Sequence, residues 1–277
     1  MMMDRVVRRW RTWLGLMALC ALTLAFIFPI LWMTLSSFQA GDKMFDLTAS
    51  WIPREWHFEN YPNALGRARF PLYFLNSAVI SIVVTASNTL FCVLAGYGLA
   101  KFRFPGDRYV LLIILSTLML PIEVTLVPTF LIVHQFDWVN TYQGVAAPFL
   151  VDAFGIFLIR QSMISIPIDY IEAARMDGAG ELRILWRIIV PQCRPAIAVL
   201  TIFSFRESWD QFIWPLTVVA DDDMRTYPLG LVIFNEDYGT PPTEQMAIAV
   251  LATIPVFLIF LSLQRAINKG FGLSGLK

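Results

Sequence analysis

Charged residues, histidines and cysteines are all scarce in this sequence. Asp, Glu, Lys and Arg make up only 15% of its 277 residues. The two histidines, His57 and His134, have no cysteine or carboxylate cluster at ligand spacing beside them, which argues against a metal site. The three cysteines, Cys20, Cys92 and Cys193, fall in or next to apolar runs, so we expect buried thiols and no disulfide framework.

Two further absences restrict the chemistry of the chain. There is no Gly-Lys dipeptide and hence no phosphate-binding P-loop. No serine or cysteine has a base at helical spacing, which leaves an intramembrane enzyme without support. We therefore expect no catalytic residue, no metal and no cofactor bound by this chain.

Apolar residues are abundant. They make up 57% of the sequence, and the mean hydropathy of +0.62 is outside the usual range for soluble domains. Because about 20 apolar residues cross a bilayer, we predict an all-α integral membrane protein with six transmembrane helices. The predicted spans are residues 13–35, 74–98, 109–133, 144–165, 195–219 and 246–263.

The distribution of positive charge sets the orientation. Fifteen of the 21 Lys and Arg residues fall on the side of the N-terminus, five fall on the other side, and Arg206 lies within a span. Positively charged loops resist translocation, so we predict that both termini are cytoplasmic. The outer, periplasmic loops are then 36–73, 134–143 and 220–245, and the long inner loop is 166–194. The zero net charge gives no indication of a nucleic-acid partner.

The inner loop contains a short predicted helix. Pro167 ends the preceding span, and Asp169 as N-cap with Glu172 three residues later forms a capping box. The helix then runs from Tyr170 to Asp177 and ends at Gly178, which suits a left-handed C-cap position. Two turns are too few for an isolated helix to be stable, so we expect another surface to hold it.

A second, amphipathic helix is predicted after Gly180. Leu182, Leu185, Trp186 and Ile189 recur at helical spacing and predict one apolar face. Such a helix suits the inner membrane surface, and Pro191 and Pro195 are expected to break it before the fifth span. Periodicity alone is also typical of an ordinary amphipathic connector.

The spacing of residues in this loop resembles a known signature. Glu172-Ala173-Ala174, Gly178, Ile188 and Val190-Pro191 are similar to the EAA motif of the membrane subunits of ATP-binding-cassette importers, with valine where leucine is usual. Other stretches resemble the maltose-type, carbohydrate-uptake branch of that family. These are Asn76-Ser77, AGYGLAKFRFPG at 95–106, MLPIEVTLVPTF at 119–130, SWDQFIWPL at 208–216 and LQRAINKGFGLSGLK at 263–277.

The resemblance implies a coupling helix between the fourth and fifth spans that docks into a cytoplasmic ATPase subunit. The residues implied in this coupling are Asp169, Glu172, Ala173, Ala174, Asp177, Gly178 and Pro191. The implied partners are a second, related permease subunit, two ATPase subunits that hold ATP and Mg, a periplasmic or lipid-anchored substrate-binding protein, and membrane lipid. The implied location is the bacterial cytoplasmic (inner) membrane, and ATP hydrolysis belongs to the partner.

Charged residues inside the fifth span are candidates for a solute pathway. A charge that faces lipid costs about 2.5–3.5 kcal/mol on insertion scales, so Arg206, Glu207 and Asp210 should face the bundle interior or a watery cavity. Arg206 and Asp210 also have the spacing of a structural ion pair, and this alternative stays open. The full set of pathway candidates is Glu123, Arg206, Glu207, Trp209, Asp210, Phe212 and Trp214.

The third outer loop is acidic and rich in turn residues. In the resembled family the outer loops dock the substrate-binding protein, and the candidates here are Asp221, Asp222, Asp223, Tyr238 and Glu244. The predicted function is that of an importer permease for a sugar or sugar-derived solute. The alternatives are a permease for a polyol, glycerol-phosphate-like or other anionic sugar derivative, which Arg206 would suit, and a proton-coupled carrier that uses the membrane carboxylates.

Overall fold

The computed structural model describes residues 2–41, 51–238 and 240–272, and these residues form helices and no strand. In chain order, the first eight α-helices are α1 (Met2–Ser36), α2 (Asn60–Arg67), α3 (Phe70–Lys101), α4 (Asp107–Thr117), α5 (Ile122–Gln135), α6 (Tyr142–Ala146), α7 (Ala153–Ile164) and α8 (Asp169–Met176). They are followed by α9 (Glu181–Ile184), α10 (Val190–Gln192), α11 (Arg194–Trp209), α12 (Ile213–Val218), α13 (Tyr227–Tyr238) and α14 (Pro242–Gly272).

Three helices are long and apolar enough to cross a membrane without interruption. They cover Trp13–Ser36, Phe70–Lys101 and Pro242–Asn268, and they contain the first, second and sixth predicted spans. Three bent helix pairs also pass the same length and composition test when each pair is taken as one span. By length and composition, the described chain therefore contains three helical segments that could cross a membrane, or up to six if each bent pair is one span.

The other three predicted spans are interrupted, which corrects the expectation of continuous helices. α4 and α5 meet at 100°, and the segment Tyr142–Phe149 meets α7 at 45°. Pro121 has an extended backbone and is the N-cap of α5, and Asp152 caps α7 by accepting a hydrogen bond from the Gly155 N–H. The fifth span is divided between α11 and α12 by residues 210–212. The Asp152 cap is therefore a local cause of the break before α7, and Pro121 has no backbone N–H with which to continue a helix into α5.

One compact unit consists of residues from Phe70 to Val232 together with those from Ile254 onward. Within it, α3 packs against α7 and α11. Gly155 lies at a close approach of these helices, because a Cβ there would come within 2.7 Å of Cys92 Sγ and 2.8 Å of Leu200 Cδ1. The main apolar core of the unit includes Cys92, Ile159, Met163, Ile184, Leu185 and Ile189.

The other unit contains the chain up to Arg69 together with residues 233–253. Aromatic side chains pack together among the described residues between α1 and α2. The Phe38 ring lies 5.1–5.3 Å from the rings of Trp56, Phe58 and Tyr61. Asn60 Nδ2 donates hydrogen bonds of 2.9 Å to the backbone carbonyls of Ser37 and Gln39, just after α1.

Candidate functional site

α8 begins one residue earlier than the sequence predicts. Ile168 is the N-cap and already has a helical backbone (φ −66°, ψ −25°), and its side chain forms no cap. The N–H groups of Ile171 and Glu172 donate to the Ile168 carbonyl. Asp169 is therefore the first helical residue, and the predicted Asp169–Glu172 capping box is wrong. Both carboxylates still lie in the first turn, where they interact favourably with the helix dipole.

The C-terminus of α8 has the geometry that glycine permits. Gly178 has φ +78°, and its N–H donates to the Arg175 carbonyl at 2.9 Å. The next N–H, of Ala179, donates to the Ala174 carbonyl at 2.9 Å. This pair of hydrogen bonds is a Schellman motif, with Gly178 in the left-handed position that the sequence predicts. The last helical residue is Met176, one residue before the predicted Asp177.

α8 has one buried and one exposed face. Ile171 and Ala174 are buried in the main core, whereas Asp169, Glu172, Ala173 and Asp177 are exposed. The adjacent alanines thus face in different directions, and only Ala173 is available to a partner. Sequence reasoning missed Met176, whose side chain is 88% exposed. Its position four residues after Glu172 was the signal that could have placed it on the outer face.

The segment after α8 is attached to the end of α3. Glu181 accepts hydrogen bonds from Tyr97 Oη at 2.6 Å and from Arg175 Nε at 2.7 Å. The Arg175 guanidinium, followed by the Tyr97 hydroxyl, holds the pKa of the Glu181 carboxyl below its usual range. The same guanidinium lies 5.9 Å from the centre of the Phe102 ring, within the range of a cation–π contact. We call Tyr97, Arg175 and Glu181 the clasp.

The amphipathic helix buries a different face from the predicted one. Leu185 and Ile189 are buried as expected, but Leu182 is 67% exposed and Trp186 is 46% exposed. The cause is a π-helical turn at Leu185–Ile189, which changes the helical repeat and so shifts the buried stripe. Pro191 lies within the following helical turn, and the chain bends by 84° between residues 192 and 194. The break therefore occurs at Cys193, between the two prolines that predict it, Pro191 and Pro195.

The pathway candidates on α11 and α12 are not brought to one surface. Trp209 and Trp214 are each 1% exposed. Trp209 packs against the rings of Phe74 and Tyr227. Trp214 Nε1 donates to the Gly144 carbonyl at 3.1 Å. Both indoles are thus part of the core in this conformation, and they do not line an open passage within the chain.

The remaining pathway candidates divide into a pair and an isolated carboxylate. Arg206 Nε lies 3.4 Å from Asp210 Oδ2, which is the structural ion pair that the spacing allows. Asp210 also accepts a 2.9 Å hydrogen bond from Tyr227 Oη. Phe212 is half-buried, and Glu123 is exposed in the first turn of α5.

Glu207 lies on a cavity that the sequence did not predict. The cavity has a volume of about 70 Å³. Its polar lining residues are Asn88, Asp152, Ser204, Glu207, Ser208 and Gln211. The missed residues Asn88 and Asp152 had a usable signal, because polar side chains within predicted spans are rare and usually functional. Asn88 Nδ2 donates to Asp152 Oδ2 and, at 3.1 Å, to Ser204 Oγ.

The acidic loop is fixed by hydrogen bonds within its own unit. Asp221 Oδ2 accepts from Asn140 Nδ2, and Asp222 Oδ1 accepts from Tyr73 Oη. Asp223 is exposed. The loop therefore presents a fixed backbone, and the Asp222 carboxylate is already engaged in intramolecular contacts.

Two binding-protein candidates lie in the other unit. Glu244 is buried, with 4% of its side chain exposed, and its Oε2 lies 2.7 Å from Arg67 Nε. This carboxylate is committed to an internal ion pair. The side chain of Tyr238 lies outside the part of the chain that the structure describes.

Comparison with known proteins places this geometry in a family. A family model described as a binding-protein-dependent transport system inner membrane component matches residues 92–272. The arabinooligosaccharides transport system permease protein AraQ of Bacillus subtilis is 32% identical over 259 residues, which are 92% of each chain. The sn-glycerol-3-phosphate transport system permease protein UgpE of Brucella abortus is 32% identical over 252 residues, covering 88% of this chain and 89% of that protein.

The fold is also similar to that of a solved transporter. A chain of a bacterial ABC transporter involved in the import of the acidic polysaccharide alginate superposes with a TM-score of 0.80 and 24% identity, covering 93% of this chain and 96% of that one. The family model alone spans well over half of the sequence. The chain therefore belongs to the family of binding-protein-dependent transport system inner membrane components.

Proposed function

We propose that this chain is the permease subunit of an ATP-binding-cassette importer for a sugar or sugar-derived solute in the bacterial inner membrane. The names of the relatives support this, since they describe permeases for arabinooligosaccharides and for sn-glycerol 3-phosphate. The chain crosses the membrane six times, with the third, fourth and fifth crossings broken, and both termini are cytoplasmic. The excess of Lys and Arg on one side supports this orientation.

The observation that carries the proposal is the form of α8. It is a helix of eight residues, too short to be stable alone, yet it is closed by a Schellman motif and packed on one face by the main core. The opposite face presents Glu172, Ala173 and Met176 outward. Such a face suits a groove of a cytoplasmic ATPase subunit, with Met176 as an adaptable apolar anchor and Glu172 beside a cation of that subunit.

The clasp gives this helix a mechanical connection to the membrane. A displacement of α8 reaches Tyr97 at the end of α3 through Arg175 and Glu181. α3 packs against α7 and α11, so movement at one end is transmitted to the helices around the polar cavity. In this mechanism the chain performs no covalent chemistry, and closure of the ATPase subunits drives alternating access.

The importer would contain several partners besides this chain. A second, related permease subunit would complete the membrane pathway, and two ATPase subunits would bind ATP and Mg. A periplasmic or lipid-anchored binding protein would deliver the solute to the outer loops. The loop at residues 220–227 supports this role by its fixed conformation, and Asp221 and Asp223 are the exposed carboxylates on it.

The coupling role is tested by charge reversal on the outer face of α8. Glu172→Lys combined with Met176→Asp should abolish co-purification of the ATPase subunit while the chain still inserts into membranes. The matched control is Asp107→Lys, which reverses a carboxylate in the other predicted cytoplasmic turn. Retained association and ATP-dependent uptake in the double variant would contradict the proposal. Uptake that follows the proton gradient without ATP would instead favour the carrier alternative.

A further inference from the structure

The cavity at the break between α6 and α7 carries a cluster of polar side chains beside the apolar lining residues Val84, Pro148, Phe149 and Val151. Asp152 and Asn88 form one wall, and Ser204, Glu207 and Ser208 on α11 form another. Its volume of about 70 Å³ exceeds the 10–15 Å³ that one water molecule needs. It therefore has room for several waters or for a hydroxyl-bearing edge of a small molecule.

The polar groups of the cavity fall into engaged and available sets. Asp152 is engaged, because it accepts hydrogen bonds from Asn88 and from the Gly155 N–H. Gln211 Oε1 accepts from the Phe212 N–H at 3.1 Å. Within the described chain, the Gln211 NH₂ group and the side chains of Glu207 and Ser208 make no hydrogen bond or ion pair. The available set thus contains an acceptor, a donor and a hydroxyl that can act as both.

The charge on this lining has one sign. Asp152 and Glu207 are its two ionisable groups, and the neighbouring cation Arg206 is not among the lining residues. Arg206 is instead held by Asp210. An anionic group in the cavity would meet two carboxylates, of which Glu207 is exposed and Asp152 is half-buried, and like charges about 4 Å apart repel by about 1 kcal/mol per pair even in water. A hydroxyl group could donate to Glu207 and accept from Gln211 or Ser208.

We infer that this cavity contacts uncharged hydroxyl groups of the transported solute and disfavours anionic groups. This inference rests on the proposed function, and it narrows the solute class from sugars and sugar derivatives to neutral carbohydrates. It assigns solute contact to Glu207, Ser208 and Gln211, and it makes Asn88 a positioning residue that orients Asp152. Arg206 then has a structural role in the pair with Asp210.

The experiment uses the whole transporter in nanodiscs with Ser208→Cys as a reporter. Cys20 is exposed and is replaced by Ala, whereas Cys92 and Cys193 are buried and remain. The reporter thiol is treated with 2-hydroxyethyl methanethiosulfonate, which is neutral, or 2-sulfonatoethyl methanethiosulfonate, which is anionic. Each rate is divided by the rate with free 2-mercaptoethanol. We expect the neutral reagent to react at least about tenfold faster than the anionic one.

A matched pair of variants assigns this preference to the cavity. Glu207→Gln should reduce the rate ratio several-fold and lower ATP-dependent solute uptake about tenfold, whereas Asp107→Asn removes a charge elsewhere and should change neither. Equal normalised rates, no reaction with either reagent, or unchanged uptake in Glu207→Gln would overturn the inference while the importer function stands. Absence of ATP-dependent uptake by the wild-type transporter would overturn both.

Discussion

A methyl group added at Gly178 should loosen the end of α8 without touching any neighbour. The residue has φ +78°, and a Cβ there meets no atom of the described chain within 4 Å. The cost of Gly178→Ala is therefore backbone strain alone, roughly 1–2 kcal/mol for an L-residue in the left-handed region. A change of this size raises the population of the opened helix end about 5- to 30-fold.

Gly180 provides the matched control two residues away. Its backbone is extended (φ −72°, ψ 157°), and a Cβ there also meets no described atom within 4 Å. Gly180→Ala should be neutral or stabilise the chain by roughly 0.4–1 kcal/mol, because alanine narrows the unfolded ensemble. Gly178→Asn should lie between wild type and Gly178→Ala, since asparagine visits the left-handed region more readily.

The assay is amide hydrogen exchange of the chain in nanodiscs, read at Gly178 and Ala179, whose N–H groups form the two cap bonds. Exchange at both amides should accelerate in Gly178→Ala and stay at the wild-type rate in Gly180→Ala. ATPase stimulation by the loaded binding protein should fall in the same order. Wild-type exchange in Gly178→Ala, or equal acceleration in both variants, would refute the assignment of the cap to the Gly178 conformation.

Three further predictions concern contacts elsewhere in the structure. Tyr97→Phe removes a hydrogen bond to a charged acceptor, a loss of roughly 1.5–3 kcal/mol. It should lower the amount of solute taken up per ATP hydrolysed. An unchanged amount per ATP would show that the clasp does not couple α8 to α3. The pKa of Glu181 is lowered below its ordinary 4.5, so its ion pair stabilises the fold above that pH and is lost as the pH falls through and below it. In Glu181→Gln, the Tm should therefore fall less steeply as the pH is lowered below 4.5 than it does in the wild type. An unaltered dependence of Tm on pH would contradict a stabilising role of the ionised Glu181. Arg67→Ala leaves the buried Glu244 carboxylate without its cation and should destabilise the chain by roughly 1–3 kcal/mol, which adding Glu244→Gln should largely restore in denaturant unfolding.

Local features of the inner loop could be predicted because they depend on neighbouring residues only. Gly178 ends α8 because few other residues adopt its backbone conformation, and this holds regardless of tertiary context. The start of the helix differs from the prediction by one residue, because Ile168 has a helical backbone that its side chain does not indicate. The buried stripe of the next helix was misplaced because a period of 3.6 residues fails across the π-helical turn at 185–189.

The polar cavity depended on residues far apart in the sequence. Asn88 and Asp152 are separated by 64 positions and meet only when α3 packs against α7. Trp209 is a pathway candidate by its position in the fifth span, yet its burial depends on Phe74 and Tyr227 from other helices. Side-chain type predicted which residues could form polar or aromatic contacts with a solute. Only the packing of the helices decided which of these residues are accessible.

α3 links the two candidate sites of the proposed importer. Tyr97, in the clasp, and Asn88, on the cavity, are nine residues apart on this helix, about 14 Å at 1.5 Å per residue. A continuous helix transmits an axial displacement over that distance with little loss, and Asn88 holds the N-cap Asp152 of α7. A pull at Tyr97 would therefore move one wall of the cavity relative to Glu207 on α11. Tyr97→Phe should impair the coupling of ATP hydrolysis to transport, and Glu207→Gln should impair contact with the solute. The two effects should be separable, because Tyr97 and Glu207 lie at different ends of this connection.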